Sequence, residues 1–120
     1  MRFYPPPSLR AVAFGLCFAC SFAGQNPADA QGDAKAGRAK AGSVCVVCHG
    51  VDGLAKIPEA PNLAGQNENY LIAQLQAFKS GDRKNEMMSV VSQTLSDADI
   101  ENLAAYYSAI EISVGKTPAQ

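Results

Sequence analysis

Cys45-Val46-Val47-Cys48-His49 is the stretch that decides how this chain is read. C-x-x-C-H is the spacing that attaches heme covalently. With two residues between the thiols, one turn of helix presents both sulfurs to the vinyl groups along one porphyrin edge, and the next residue aims an imidazole at the iron. Two other chemistries use C-x-x-C. A structural zinc ion takes four ligands, usually Cys and His, and downstream of residue 30 the chain offers only Cys45, Cys48 and His49, crowded into one turn. A thioredoxin-like dithiol sits within a βαβ pattern, yet no alternating β-branched run flanks the motif. The expected cofactor is therefore one covalent heme c with its iron.

Upstream of the motif, Arg2 and Arg10 precede the apolar run from Ala11 to Ala23, and Asn26-Pro27-Ala28-Asp29-Ala30 supplies a small-x-small site. That order is expected of a secretory signal peptide over residues 1–30, cut after Ala30. The apolar run is short for a membrane span of about 20 residues, so no stable membrane insertion is expected after cleavage. Cys17 and Cys20 fall inside the run and are expected to do no chemistry. Residues 31–120 then form a single domain with eight positive and ten negative side chains. No basic patch points to nucleic acid, and no single-sign field points to one obvious partner. A chain of about 90 residues has a marginal core, and a buried porphyrin supplies the missing apolar centre.

Downstream and around the motif the pattern is helical. A first helix is expected from about Asp33 to Val47, Ala-rich and opened by an acid. Gly50-Val51-Asp52-Gly53 breaks it, and the segment from Ile57 to Gly65 is a proline- and glycine-punctuated loop without periodicity. A second helix is expected from Glu68 to Ser80, with Asn67 as N-cap, Gly81 past its end, and Tyr70, Leu71, Leu75 and Phe78 on one packed face. Ser96-Asp97-Ala98-Asp99 reads as a capping-box variant opening a last helix to about Ile110, with Ile100, Leu103, Ala104 and Tyr107 at helical spacing. No segment reads as sheet. The tail over residues 112–120 is expected to be disordered.

Axial ligands set what a heme does, and the inventory is short. His49 is the only histidine, so a second imidazole is excluded within one subunit. Met, Lys, a terminal amine, water or an open position remain for the far side. Met87 and Met88, about forty residues beyond His49 and just before a helix, are the leading candidates, so His/Met ligation is expected.

Taken in order, Cys45–Gly53, Pro61-Asn62-Leu63-Ala64-Gly65-Gln66, Tyr70-Leu71, Gln74-Leu75, Phe78–Arg83, Met88, Leu95–Ile100 and Leu103–Tyr107 resemble the class I cytochromes c, specifically a single-heme relative of one domain of the tandem diheme bacterial cytochromes c. The resemblance spans nearly all of residues 33–110. It implies an all-α fold of three or more helices wrapped around heme, and attachment of that heme outside the cytoplasm, in the bacterial periplasm. It implies Met88, eight residues before Ser96, as the iron's second axial ligand, with Met87 a packing neighbour. It further implies that the Pro61 carbonyl accepts a hydrogen bond from His49, that Leu63 packs on the porphyrin, and that Gly37 marks a crossing of the first and last helices against Leu103 and Tyr106.

Three functions compete on these residues. A six-coordinate heme in a small exported protein is expected to be a one-electron carrier rather than an enzyme, shuttling between redox proteins such as a dehydrogenase and an oxidase or reductase. A five-coordinate heme enzyme or gas sensor is the alternative, but no distal His is available and Arg83 is the sole distal Arg considered. A dedicated cytochrome subunit of a dehydrogenase complex is the third.

Overall fold

The computed structural model describes residues 32–118; the expected signal peptide lies outside them. Five helices follow one another: α1 (Ala34–Val44), α2 (Val46–His49), α3 (Glu68–Ser80), α4 (Met88–Gln93) and α5 (Asp97–Ser108). No strand occurs among the described residues. The chain is all-α.

Asp33 opens α1 by accepting the backbone N–H groups of Lys35 and Ala36 at 2.8 and 3.3 Å, the orphan donors that any helix start must satisfy. The helix expected to run to Val47 is instead interrupted at Cys45, whose φ of −108° departs from helical values, before α2 resumes for four residues. The interruption falls in Val44-Cys45-Val46-Val47, where three β-branched side chains crowd the helix. In α3, Asn67 accepts from Tyr70 N at 3.0 Å and Gly81 closes the helix in the left-handed conformation, φ 87°, as a glycine allows at no steric cost. Leu71 and Phe78 are buried and Leu75 half-buried, but Tyr70 turns outward and is 48% exposed. It therefore leaves the packed face expected of it.

α5 carries a complete capping box: Ser96 Oγ accepts from Asp99 N at 3.0 Å while Asp99 Oδ2 accepts from Ser96 N at 2.9 Å. It ends at Ser108, short of Ile110, where Ile110 N turns to the Tyr107 carbonyl at 3.4 Å and the same carbonyl accepts from Gly65 N at 2.9 Å. α4 is a helix outside the sequence expectations, and Val90 and Val91 within it are poor helix formers.

α1 and α5 cross at a point without side-chain room. A Cβ on Gly37 would overlap the Asn102 carbonyl and come within 2.8 Å of Tyr106 Cβ. Asn102 Oδ1 also caps the start of α1 by accepting from Asp33 N at 2.6 Å, and Lys40 pairs with Asp99 at 3.1 Å across the same interface. Behind the crossing lies the core, Ala41, Leu71, Leu95, Ile100, Leu103, Ala104 and Tyr107. The segment 111–118 is exposed, without helix or strand.

Candidate functional site

α2 carries the motif, and α5 holds it in place. Directly after His49 the chain turns through Gly50 at φ 70°, and two consecutive tyrosines of α5 reach this turn. Tyr107 Oη donates to the Gly50 carbonyl at 3.1 Å, and Tyr106 Oη donates to the Val51 carbonyl at 2.6 Å. Cys48 O accepts from Lys56 N at 2.8 Å, and the Gly53 carbonyl accepts from both Leu63 N and Ala64 N at 2.7 and 3.1 Å. Asn62 Oδ1 closes the same loop by accepting from Ala55 N at 2.7 Å. The proline-rich loop is thus sewn back onto the motif.

His49 is buried, 7% exposed. Its Nδ1 lies 2.9 Å from the carbonyl oxygen of Pro61. A carbonyl only accepts, so Nδ1 carries the proton, and in the neutral ring Nε2 is left with the lone pair. That is the tautomer a metal-ligating imidazole adopts, with its second nitrogen anchored to a backbone carbonyl. Cys45 and Cys48 are free, half-buried thiols. Burial pushes the Cys45 thiol above its ordinary value, partly offset by the nearby Tyr107 hydroxyl. Burial, followed by the nearby Cys45, pushes the Tyr107 hydroxyl up as well, so at neutral pH both groups stay uncharged. Cys45 and Leu63 pack against the edge of the core.

The donor chemistry fits a covalently held heme better than a bound ion. Among the described residues no three His, Cys, Asp or Glu side chains converge where a metal ion could sit, so the zinc alternative finds no closed site. Two free thiols beside an imidazole whose Nε2 keeps its lone pair are the groups heme attachment requires.

Met88 is half-buried at the first position of α4, whereas Met87 is 63% exposed. Met87 and Met88 share a backbone anchor: Asn85 Oδ1 accepts from both their N–H groups, at 3.0 and 2.9 Å. Neither Asn85 in this role nor the two tyrosine clamps were anticipated. The signal for Asn85 was present, since an Asn side chain caps a helix start by accepting from the N–H groups two and three residues on; nothing in sequence spacing points a tyrosine hydroxyl at a carbonyl more than fifty residues away.

Comparison with known proteins agrees with this geometry. The family described as cytochrome c oxidase, cbb3-type, subunit III matches residues 32–106. Cytochrome c4 of Pseudomonas aeruginosa is 47% identical over 88 residues, covering 73% of this chain and 43% of the relative. Cytochrome c-554(548) of Halomonas halodenitrificans is 47% identical over 83 residues, which cover 67% of this chain and 99% of the relative. The crystal structure of reduced recombinant cytochrome c4 from Pseudomonas stutzeri superimposes with a TM-score of 0.63 at 46% identity, over 70% of this chain and 48% of the other. The chain spans less than half the length of the cytochrome c4 relatives it matches.

Proposed function

The chain belongs to the class I c-type cytochromes and carries heme c, and from that premise we propose that it is an exported one-electron carrier of the periplasm, working between redox proteins rather than acting as an enzyme. The bound heme supplies the ferric/ferrous couple. Among the described residues no helix is long and apolar enough to cross a membrane, which suits a carrier that meets its partners from solution.

The observation that carries the reading is the buried His49 with its Nδ1–H committed to Pro61. That bond fixes the ring's orientation and raises the donor strength of Nε2, the nitrogen assigned to the iron. Cys45 and Cys48 are the thioether anchors, and Leu63 packs against the porphyrin. Met88 supplies the second axial donor; its half-burial, against the exposure of Met87, favours it. A thioether is a soft, uncharged ligand that favours the ferrous state and raises the potential above that of a bis-histidine site. With His49 and Met88 both holding the iron, no open position would remain for a substrate. The donor is expected to be a dehydrogenase or another reduced redox protein, and the acceptor an oxidase or reductase.

Absorption spectra of the holoprotein test this directly. The ferric protein should show the weak long-wavelength band of sulfur bonded to iron, and the ferrous protein should bind carbon monoxide slowly. Absence of the band together with immediate carbon monoxide binding would replace the carrier by a five-coordinate enzyme or sensor. Met88→Ala should remove the band and lower the potential; if it does neither, Met87 is the ligand. Gel filtration of the native extract separates a free carrier, eluting near its own mass, from a cytochrome held in a larger complex.

A further inference from the structure

We propose that Asn85 is the positioning residue for the Met88 thioether, and that its carboxamide controls how readily Met88 leaves the iron. This rests on the assignment of Met88 as axial ligand made above. As a helix, α4 is assigned only from Met88 and its nominal cap, Met87, makes no side-chain capping bond. The capping is done two residues earlier. Asn85 Oδ1 accepts from Met87 N at 3.0 Å and from Met88 N at 2.9 Å, the second and third N–H groups beyond it, which is the pattern of an N-cap side chain. The contact is reciprocated: Ser89 Oγ accepts from Asn85 N at 3.1 Å, and the Asn85 carbonyl accepts from Ser89 N at 2.9 Å. Four short bonds therefore lock residues 85–89 into one bracket with Met88 inside it.

Beyond this bracket the backbone is held by the Met87 carbonyl, which accepts from Val90 N and Val91 N at 3.1 and 3.0 Å, and by Arg83 N, which donates to the Ala77 carbonyl at 3.0 Å. Residues 81–87 are all exposed. The hydrogen bonds that brace the neighbourhood are peripheral: Arg83 Nη1 donates to Gln74 Oε1 at 2.6 Å, and Gln93 Nε2 donates to Lys79 O at 2.6 Å. A helix of six residues is far too short to persist on its own propensity, so its first turn depends on its cap and on packing against α3. Since Met88 is the first residue of that turn, fraying of α4 from its N-terminus displaces Met88 before any other residue of the helix. The cap at Asn85 acts on the ligand through the backbone N–H of the ligand residue itself.

The experiment is stopped-flow cyanide binding to the ferric holoprotein, in which the entering anion waits for Met88 to detach, run on native protein, Asn85→Ala and Asn85→Asp. Loss of an N-cap acceptor should raise the detached population, and the binding rate with it, roughly fivefold in Asn85→Ala. Asn85→Asp keeps an acceptor oxygen at the same reach and should return the rate to within about twofold of native. Amide hydrogen exchange of Met88 should follow the same order across the three proteins, while the ferric sulfur band stays present in each. Native-like cyanide binding in Asn85→Ala, or no recovery in Asn85→Asp, overturns the inference. Met88→Ala separates the two readings: if it retains the sulfur band, the ligand assignment falls and the role of Asn85 falls with it, whereas loss of the band with an unchanged Asn85→Ala rate sinks only the role of Asn85.

Discussion

The surroundings of His49 and of Met88 are built differently. On the His49 side the chain is fastened by contacts between residues far apart in sequence: Tyr107 to Gly50, Tyr106 to Val51, and Gly65 to Tyr107. The loop 53–64 adds its own bonds to the motif. On the Met88 side the bonds are local, within residues 85–91. Long-range bonds break only when the fold opens, whereas a local bracket can open alone. The histidine is held by the tertiary structure and the methionine by its own neighbourhood. With Met88 as the proposed second ligand, the thioether is the bond expected to yield during ligand exchange.

The largest effect should come from breaking the frame that carries both sides. Gly37→Val would drive a branched side chain into the Asn102 carbonyl and the Tyr106 Cβ where α1 crosses α5. Because the obstacle is backbone, it has no rotamer by which to give way, and the cost should be about 3 kcal/mol, the upper end of overpacking penalties. Denaturant unfolding of the holoprotein checks it. Loss of protection on the His49 side and on the Met88 side should occur together; if one side survives, the crossing is not their common support.

Next in size is Tyr107→Phe, which acts on the His49 side alone. The hydroxyl is buried and bonded to the Gly50 carbonyl, so its removal should cost about 1–2 kcal/mol. Tyr106→Phe, at the better exposed of the two rings, should cost less. Both variants should leave cyanide binding near native, since neither touches residues 85–89. A faster rate in Tyr107→Phe would mean that the two sides are coupled after all.

How much of this could be read from residues alone follows the same division. Local signals were legible. Asn67 and Gly81 bracketed α3 because capping is chemistry of adjacent residues, and Ser96 with Asp99 announced α5. The motif named the cofactor because its spacing is the chemistry. Long-range contacts were not legible: that the Tyr107 carbonyl accepts from Gly65 N, or that Tyr70 faces outward, depends on how α3, α5 and the loop meet. α4 was hidden for another reason. Two adjacent valines argue against helix, and a helix of six residues offers too short a window for periodicity.

A smaller effect tests the exit from the Met88 side, where α4 passes through Thr94 and Leu95 into the capping box of α5. Asp99→Ala removes the acceptor of Ser96 N and should cost about 1 kcal/mol at neutral pH. The Asp99 carboxyl is held below its ordinary value, chiefly by the Ser96 backbone N–H. A carboxyl whose value is lowered on folding stabilises the protein fully above its unfolded value and loses that contribution as pH falls through the folded one. The stability gap between native and Asp99→Ala should therefore be constant above about pH 5 and shrink once pH drops below about 4. A gap that persists unchanged into acid would show that ionisation of Asp99 plays no part in the cap.

The smallest effect is expected at Met87, and it bears most directly on the comparison. Met87 and Met88 share the Asn85 acceptor through their backbones, so their side chains alone distinguish them. The Met87 side chain is 63% exposed and Met88 is half-buried. Met87→Leu preserves the backbone bond and most of the volume at a solvated position, so stability should change by less than about 0.5 kcal/mol. The ferric sulfur band and the midpoint potential should stay at native values, whereas Met88→Leu should abolish the first and lower the second. If Met87→Leu removes the band instead, the first turn of α4 rotates by one residue when heme is held. The local bracket on that side would then be looser than its four bonds imply, because it would have to admit a second register while the His49 side stayed fixed.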